Sequence, residues 1–181
     1  MRMEHPAQAI KAGEIDPKFK YEVSRFRGAE KTMICFQCGT CTADCPVSRF
    51  SEFYKPKKIA RMIQLGLKDR ILSDKHIWLC TTCYTCVDHC PQDVEIANVI
   101  RALRNISVQY VKSIPLVYKE LAENLAKTGF VYIIPESRIK RREEMGLPPL
   151  PKTSPEDIMK IFELTGLSSL LKNSQTFERV E

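Results

Sequence analysis

The chain has 181 residues, 44% of them hydrophobic and 28% charged, a length and balance that fit one domain, or one domain with an extension, and exclude a disordered polymer. Its formal charge is +6, from 28 basic and 22 acidic residues. No apolar run approaches the roughly 18 residues of a membrane span, FVYIIP at 130–135 being too short, so a soluble protein is expected.

The first 31 residues read as a lead. MRMEHPAQAIKAGEIDPKF has no apolar stretch behind its early charge, so no secretory leader is expected. Phe19, Val23 and Phe26 fall at helical spacing, which predicts a short helix laid over the cysteine-bearing domain.

All eight cysteines come next, in two copies of one spacing. Cys35, Cys38, Cys41 and Cys45 lie in CFQCGTCTADCP, and Cys80, Cys83, Cys86 and Cys90 in CTTCYTCVDHCP, a uniform offset of 45 residues. Each copy is the Cys-x2-Cys-x2-Cys-x3-Cys-Pro run of bacterial ferredoxins with two [4Fe–4S] clusters. Three cysteines at two-residue intervals can wrap a loop around a cubane, and in the two-cluster arrangement the last cysteine of each run ligates the other cluster. The expected sets are therefore Cys35, Cys38, Cys41 and Cys90 for cluster 1, and Cys80, Cys83, Cys86 and Cys45 for cluster 2. Pro46 and Pro91, with fixed φ and no N–H, either turn the chain away from the crossing cysteine or start a helix.

Other uses of the thiols fit less well. Zinc sites draw on two cysteine pairs and leave the third and fourth of each run unexplained. A disulfide framework lacks its secretory context, and thioredoxin-type chemistry needs one pair beside a βαβ unit. Two oxidised clusters with their thiolates carry about −2 each, so the loaded chain sits at about +2 and a general nucleic-acid-binding surface is poorly supported. Oxygen-sensitive clusters and reduced thiols point to the cytoplasm of an anaerobe.

Between the runs, Ile59, Met62, Ile63 and Leu67 recur at three- and four-residue intervals, predicting a helical spacer and hence an alpha-helical ferredoxin. After Pro91, Val94, Ala97, Val99, Ile100, Leu103, Ile106 and Val108 fall largely on one side of a long helix expected to cross both clusters. Pro115 opens another helix with Gly129 as its stop. FVYII reads as strand-like, and KRREEMGLPPLPKTSPED as an extended connector. Ser154, succeeded by Pro155, Glu156 and Asp157, opens a last helix carrying IMKIFELTGLSSLL. The expected fold is mainly α: an alpha-helical ferredoxin-like domain over 32–130 holding two [4Fe–4S] clusters, an N-terminal lead helix over 1–31 and a C-terminal docking extension over 131–181.

Little else in the chain can act on a substrate, and no catalytic residue is expected. The histidines are His5, His76 and His89. His5 sits near the terminus, His76 suits capping or exposure, and His89 either donates to a cluster sulfur or faces solvent. No glycine-rich phosphate loop is present. Trp78 reads as core and Tyr84 as a ring shielding a cluster from water, while Gly39 allows a close approach or a tight turn. Lys55, Lys57, Lys58 and Arg61, and Arg138, Lys140, Arg141 and Arg142, form solvated faces or patches for an acidic partner.

MICFQCGTCTADCPVSRF followed by WLCTTCYTCVDHCPQDVEIANVIRALR resembles the C-type iron–sulfur subunit of the soluble heterodisulfide reductase of methane-forming archaea, from about Thr32 to Arg104. The resemblance implies a ferredoxin-like subunit relaying electrons from a flavoprotein (the A-type subunit) to a cysteine-rich catalytic partner (the B-type subunit), which reduces the mixed disulfide of coenzyme M and coenzyme B in methanogenesis. It also implies a hydrogenase or formate dehydrogenase in the larger complex, and flavin-based electron bifurcation. The eight cysteines carry over as cluster ligands. Related proteins, such as the C-type subunit of anaerobic glycerol-3-phosphate dehydrogenase, continue into cysteine-rich repeats on the same chain; this sequence does not, so a separate catalytic partner is expected. Alternatives are a free ferredoxin-like carrier, which the modest charge and cysteine-free tail oppose, the iron–sulfur subunit of a glycerol-3-phosphate, succinate or lactate enzyme, and a structural zinc module.

Overall fold

The computed structural model describes residues 9–178, so His5 lies outside the described residues. Two compact units part between Val111 and Lys112. The first carries α1 (Phe19–Ser24), α2 (Thr40–Ala43), α3 (Pro46–Phe50), α4 (Pro56–Gln64), α5 (Lys68–Leu72), α6 (Thr85–Asp88) and α7 (Ile96–Val111). Short 3-10 turns at Glu30–Ile34 and Lys75–Leu79 lead into the two cysteine runs.

Helix α1 is short, yet it belongs to the core. Phe19 and Val23 are fully buried and Phe26 packs against the same cluster of side chains. Backbone contact fixes the lead further: the Asp16 N–H donates to the Gly66 carbonyl at 2.8 Å. A Cβ on Gly66 would strike the Asp16 carbonyl oxygen, and its φ of 74° suits glycine. Two ion pairs, Glu22 with Lys68 at 2.7 Å and Glu14 with Arg70 at 2.6 Å, close over the join. Such surface pairs contribute about 0–1 kcal/mol each, so burial of the apolar stripe decides the matter. Phe19→Ala is expected to cost about 3–5 kcal/mol, read as a lower denaturant midpoint at unchanged slope. A loss below about 1 kcal/mol would show that the lead is only a loose cover.

The spacer is helical, as its periodicity requires. α4 and α5 bury Ile59, Ala60, Ile63, Ile71 and Leu72, and α7 buries Ile96, Ala97, Val99, Ile100, Ala102, Leu103 and Ile106. The polar exception on that face, Ser107, donates its hydroxyl to the Leu72 carbonyl at 2.6 Å, which satisfies a group that would otherwise be costly to bury. Cys41, Cys45 and Cys86 belong to the same core.

The second unit contains β1 (Ser113–Pro115), α8 (Leu116–Thr128), α9 (Glu136–Glu144), α10 (Pro155–Leu164), α11 (Leu167–Asn173) and β2 (Gln175–Phe177). Helix α8 ends at Gly129, φ 75°, and Ser154 caps α10 by accepting from the Asp157 N–H. Three expectations from the sequence fail in this unit. FVYII is not a strand: the Thr128 hydroxyl accepts from the Phe130 N–H, and Asn124 donates to the Val131 carbonyl, tying the segment to the end of α8. The strands are instead β1 and β2, paired in parallel with Ser113 opposite Gln175. KRREE belongs to α9, so only residues 147–154 are extended. The last helix is broken at Gly166, φ 74°, into α10 and α11. Among the described residues no helix is long and apolar enough to cross a membrane.

Candidate iron–sulfur site

The 45-residue repeat of the cysteines is also a repeat of backbone. The 3-10 turns Glu30–Ile34 and Lys75–Leu79, and the helices α2 and α6, stand at this offset residue for residue. So do the left-handed residues within each loop: Gln37 (φ 65°) with Thr82 (φ 52°), and Gly39 (φ 95°) with Tyr84 (φ 63°). Three of these four carry a Cβ, which resists positive φ at a cost of roughly 1–2 kcal/mol. Positive φ on a residue with a Cβ at the same place in both loops, Gln37 and Thr82, is strain of the kind that clusters at ligand-holding sites. The Thr82 N–H reaches the Cys80 sulfur at 3.5 Å. The repeat ends after the crossing cysteines, for Pro46 starts α3 whereas Pro91 enters a turn.

The two runs line two small hollows. Cys35, Cys38, Cys41 and Cys90 line the first. Cys80, Cys83, Cys86 and Cys45 line the second. Each hollow thus takes three thiols from one run and the fourth from the other. Among the described residues no three His, Cys, Asp or Glu side chains converge as for a single metal ion; the thiols are spread around a cavity. The first turn of α7 and the residues before it serve both: Val94 and Ile96 line the first hollow and Ala97 the second.

The thiols differ in a matched way. The inner Cys41 and Cys86 are pushed up to about 11 and about 12, first by burial, with neighbouring thiols adding to it. The outer Cys38 and Cys83 are lowered, chiefly by the hydroxyls of Thr40 and Thr85, each 3.5 Å from the sulfur. Gln37 Nε2 and the Val94 N–H reach the sulfurs of Cys35 and Cys90 at 3.4 and 3.2 Å. Tyr54 is almost fully buried on the wall of the second hollow; burial and the adjacent Cys80 hold its hydroxyl well above the usual tyrosine range, so it stays a neutral donor. Eight thiols in two sets of four, ringed by donors and apolar walls, fit two [4Fe–4S] cubanes in number and chemistry.

His89 pairs not with a sulfur but with Asp44, Nδ1 to Oδ2 at 2.7 Å. The two residues occupy the same place in the two runs, each just before the crossing cysteine. His76 contacts Asp74 at 2.5 Å and stacks on Phe53. Trp78 packs partly against the core with the Arg104 guanidinium 5.4 Å from its ring. Tyr84 lines the second hollow and donates to Asn98 Oδ1 at 3.3 Å. Lys55, Lys57, Lys58 and Arg61 line an open groove, and the last three form no ion pair among the described residues. Residues of the site that the sequence alone does not single out include Gln37, Thr82, Thr40, Thr85, Tyr54, Gln64 and Arg104. Of these, Thr40 and Thr85 do leave a signal, as identical residues at the repeat offset.

Residues 31–94 match the family described as a 4Fe-4S dicluster domain. Fold, thiol geometry and this match define a mainly helical iron–sulfur protein with two [4Fe–4S] clusters, the class of one-electron carriers. Along nearly its whole length the chain is similar to named proteins of methanogens. It is 35% identical over 168 residues, 90% of this chain and 89% of the relative, to the C-type subunit of the H2:CoB-CoM heterodisulfide, ferredoxin reductase of Methanothermobacter thermautotrophicus. It is 30% identical to the C-type iron-sulfur subunit of the CoB–CoM heterodisulfide reductase of Methanopyrus kandleri, over 90% of each chain. With the C-type subunit of the ferredoxin/F420H2-dependent CoB-CoM heterodisulfide reductase of Methanosarcina acetivorans it shares 36% identity, over 81% of this chain and 87% of the relative. The chain belongs to the family of C-type iron–sulfur subunits of heterodisulfide reductase.

Proposed function

We propose that this chain is the electron relay of a heterodisulfide reductase complex, passing single electrons from a flavin-containing subunit to a cysteine-rich subunit that reduces the mixed disulfide of coenzyme M and coenzyme B. The observation that carries this reading is the likeness to C-type subunits over nine-tenths of the chain. The ligand sets are Cys35, Cys38, Cys41 and Cys90 for cluster 1, and Cys80, Cys83, Cys86 and Cys45 for cluster 2; the thiols lining each hollow support them.

Bound clusters supply one-electron transfer without proton or group transfer. The chain's own residues hold them, exclude water with the apolar side chains of α7, and set their potentials through donors to sulfur. A docking role for the second unit is supported by its exposed apolar side chains, with Leu164 88% and Tyr132 71% exposed, since such surface commonly marks a protein interface. Lys57, Lys58 and Arg61, which form no ion pair among the described residues, suit an acidic partner face. Thiolate-held clusters suit the reducing cytoplasm, where we place the complex.

Purification under strict anoxia tests the proposal. The chain is expected to elute with a flavoprotein and a cysteine-rich subunit, and the complex to reduce the heterodisulfide. A chain that elutes as a monomer and accelerates no heterodisulfide reduction when added back to those subunits overturns it.

A further inference from the structure

Two helices hold the two cluster loops by the same pair of backbone carbonyls, but with side chains of different charge. On the first loop, Gln64 at the end of α4 donates from Nε2 to the carbonyls of Cys35 and Thr32, at 2.8 and 3.3 Å. On the second, Arg104 of α7 donates from Nη2 to the Cys80 carbonyl at 2.7 Å and from Nε to the Ile77 carbonyl at 3.1 Å. Cys35 and Cys80, like Thr32 and Ile77, are twins of the 45-residue repeat. The clamped atoms are therefore equivalent, and only the clamp differs.

A glutamine amide is neutral, whereas a guanidinium keeps its charge at any working pH. Arg104 is half-buried and fixed by two hydrogen bonds and the Trp78 ring, so solvent and salt screen it less than an exposed charge. We propose that this difference sets the redox order of the two clusters: the fixed positive charge beside the Cys80 loop favours the more negative reduced state of cluster 2, and an electron entering at cluster 1 moves downhill to cluster 2. The step is a plain one-electron exchange, in which cluster 1 is oxidised, cluster 2 is reduced and no bond or proton changes.

Other groups around the hollows do not reverse this order. Neutral donors stand on both sides, Gln37 and Val94 at the first and Thr82 and Tyr54 at the second. Lys57 lines the first hollow but is exposed to solvent and hence screened.

The inference rests on the electron-relay reading, and potentiometry separates the two. The loaded protein, prepared without oxygen, is titrated with dithionite while electron paramagnetic resonance follows the reduced clusters. Wild type is expected to show two midpoints. R104Q, which installs the amide the other loop already uses, should lower one of them by about tenfold in the reduction equilibrium, about 59 mV for one electron, and shift the other less. Q64R should raise the other one. R104K, keeping charge without the fork, should shift the midpoint less than R104Q does. A single shared midpoint in wild type, two unmoved midpoints in R104Q at full iron content, or equal shifts in R104K and R104Q overturns the proposal. Should R104Q fail to take up iron, Q64R decides alone, and an unmoved pair there overturns it. Failure of the relay reading shows differently, as loaded wild-type protein whose clusters take up no electron reversibly at any potential.

Discussion

Replacing Cys45 by alanine is expected to empty the cluster of the second run and spare that of its own. Cys45 sits at the start of α3, almost fully buried, on the wall of the hollow formed by Cys80, Cys83 and Cys86. Its own run keeps Cys35, Cys38 and Cys41, whose fourth wall is Cys90. A cubane left with three protein thiolates and an open iron corner is prone to lose iron. Iron should therefore fall from about eight to about four atoms per chain in C45A, with one of the two paramagnetic signals gone. C90A should remove the other signal. The pairing of variant with signal is the informative part: if C45A and R104Q disturb different clusters, the crossed assignment is wrong, because Arg104 clamps the Cys80 loop.

The features legible in the sequence are those that chemistry forces to repeat. Eight cysteines at one spacing named the candidate ligands, and their 45-residue offset extends to the backbone of both loops. Apolar spacing placed α4 and α7, since a helix with one buried face has few alternatives. The clamps were hidden for a definite reason. Gln64 and Arg104 grip equivalent carbonyls but stand 40 residues apart in the sequence, because the helices that carry them approach the loops in different register. Tyr54 has no counterpart to draw notice: the residue at its repeat position is Val99, buried in α7. In the second unit composition misled. FVYII has strand-forming residues, but a strand needs a partner, and here the edge goes to Ser113–Pro115 and Gln175–Phe177. KRREE reads as a charged linker, yet behind Pro135 and with Glu136 in its first turn it can form a helix.

Chelating the iron under anoxia is expected to abolish the cooperative unfolding of the first unit. Cys41, Cys45 and Cys86 are part of its core, and the loops beside them hold left-handed residues whose strain the bound state must offset. Structural metal sites contribute on the order of 10 kcal/mol to folding, comparable with a whole domain's net stability of about 5–15 kcal/mol; losing two should leave no two-state transition. The pH dependence has opposite signs in the two states. Without iron, burial raises Cys41 and Cys86 from an ordinary 9.0 to about 11 and about 12. Their neutral forms thus support any residual fold below about pH 9, and that support is lost as the pH climbs through the raised values. Loading works the other way, because each thiol must surrender its proton to bind iron. Reconstitution should accordingly quicken from pH 7 toward pH 9, while mild acid should promote cluster loss. Calorimetry and circular dichroism on loaded and chelated protein measure both effects. A chelated chain that still melts sharply, at the temperature of the loaded one, would show that the thiol-lined core is rigid without its iron.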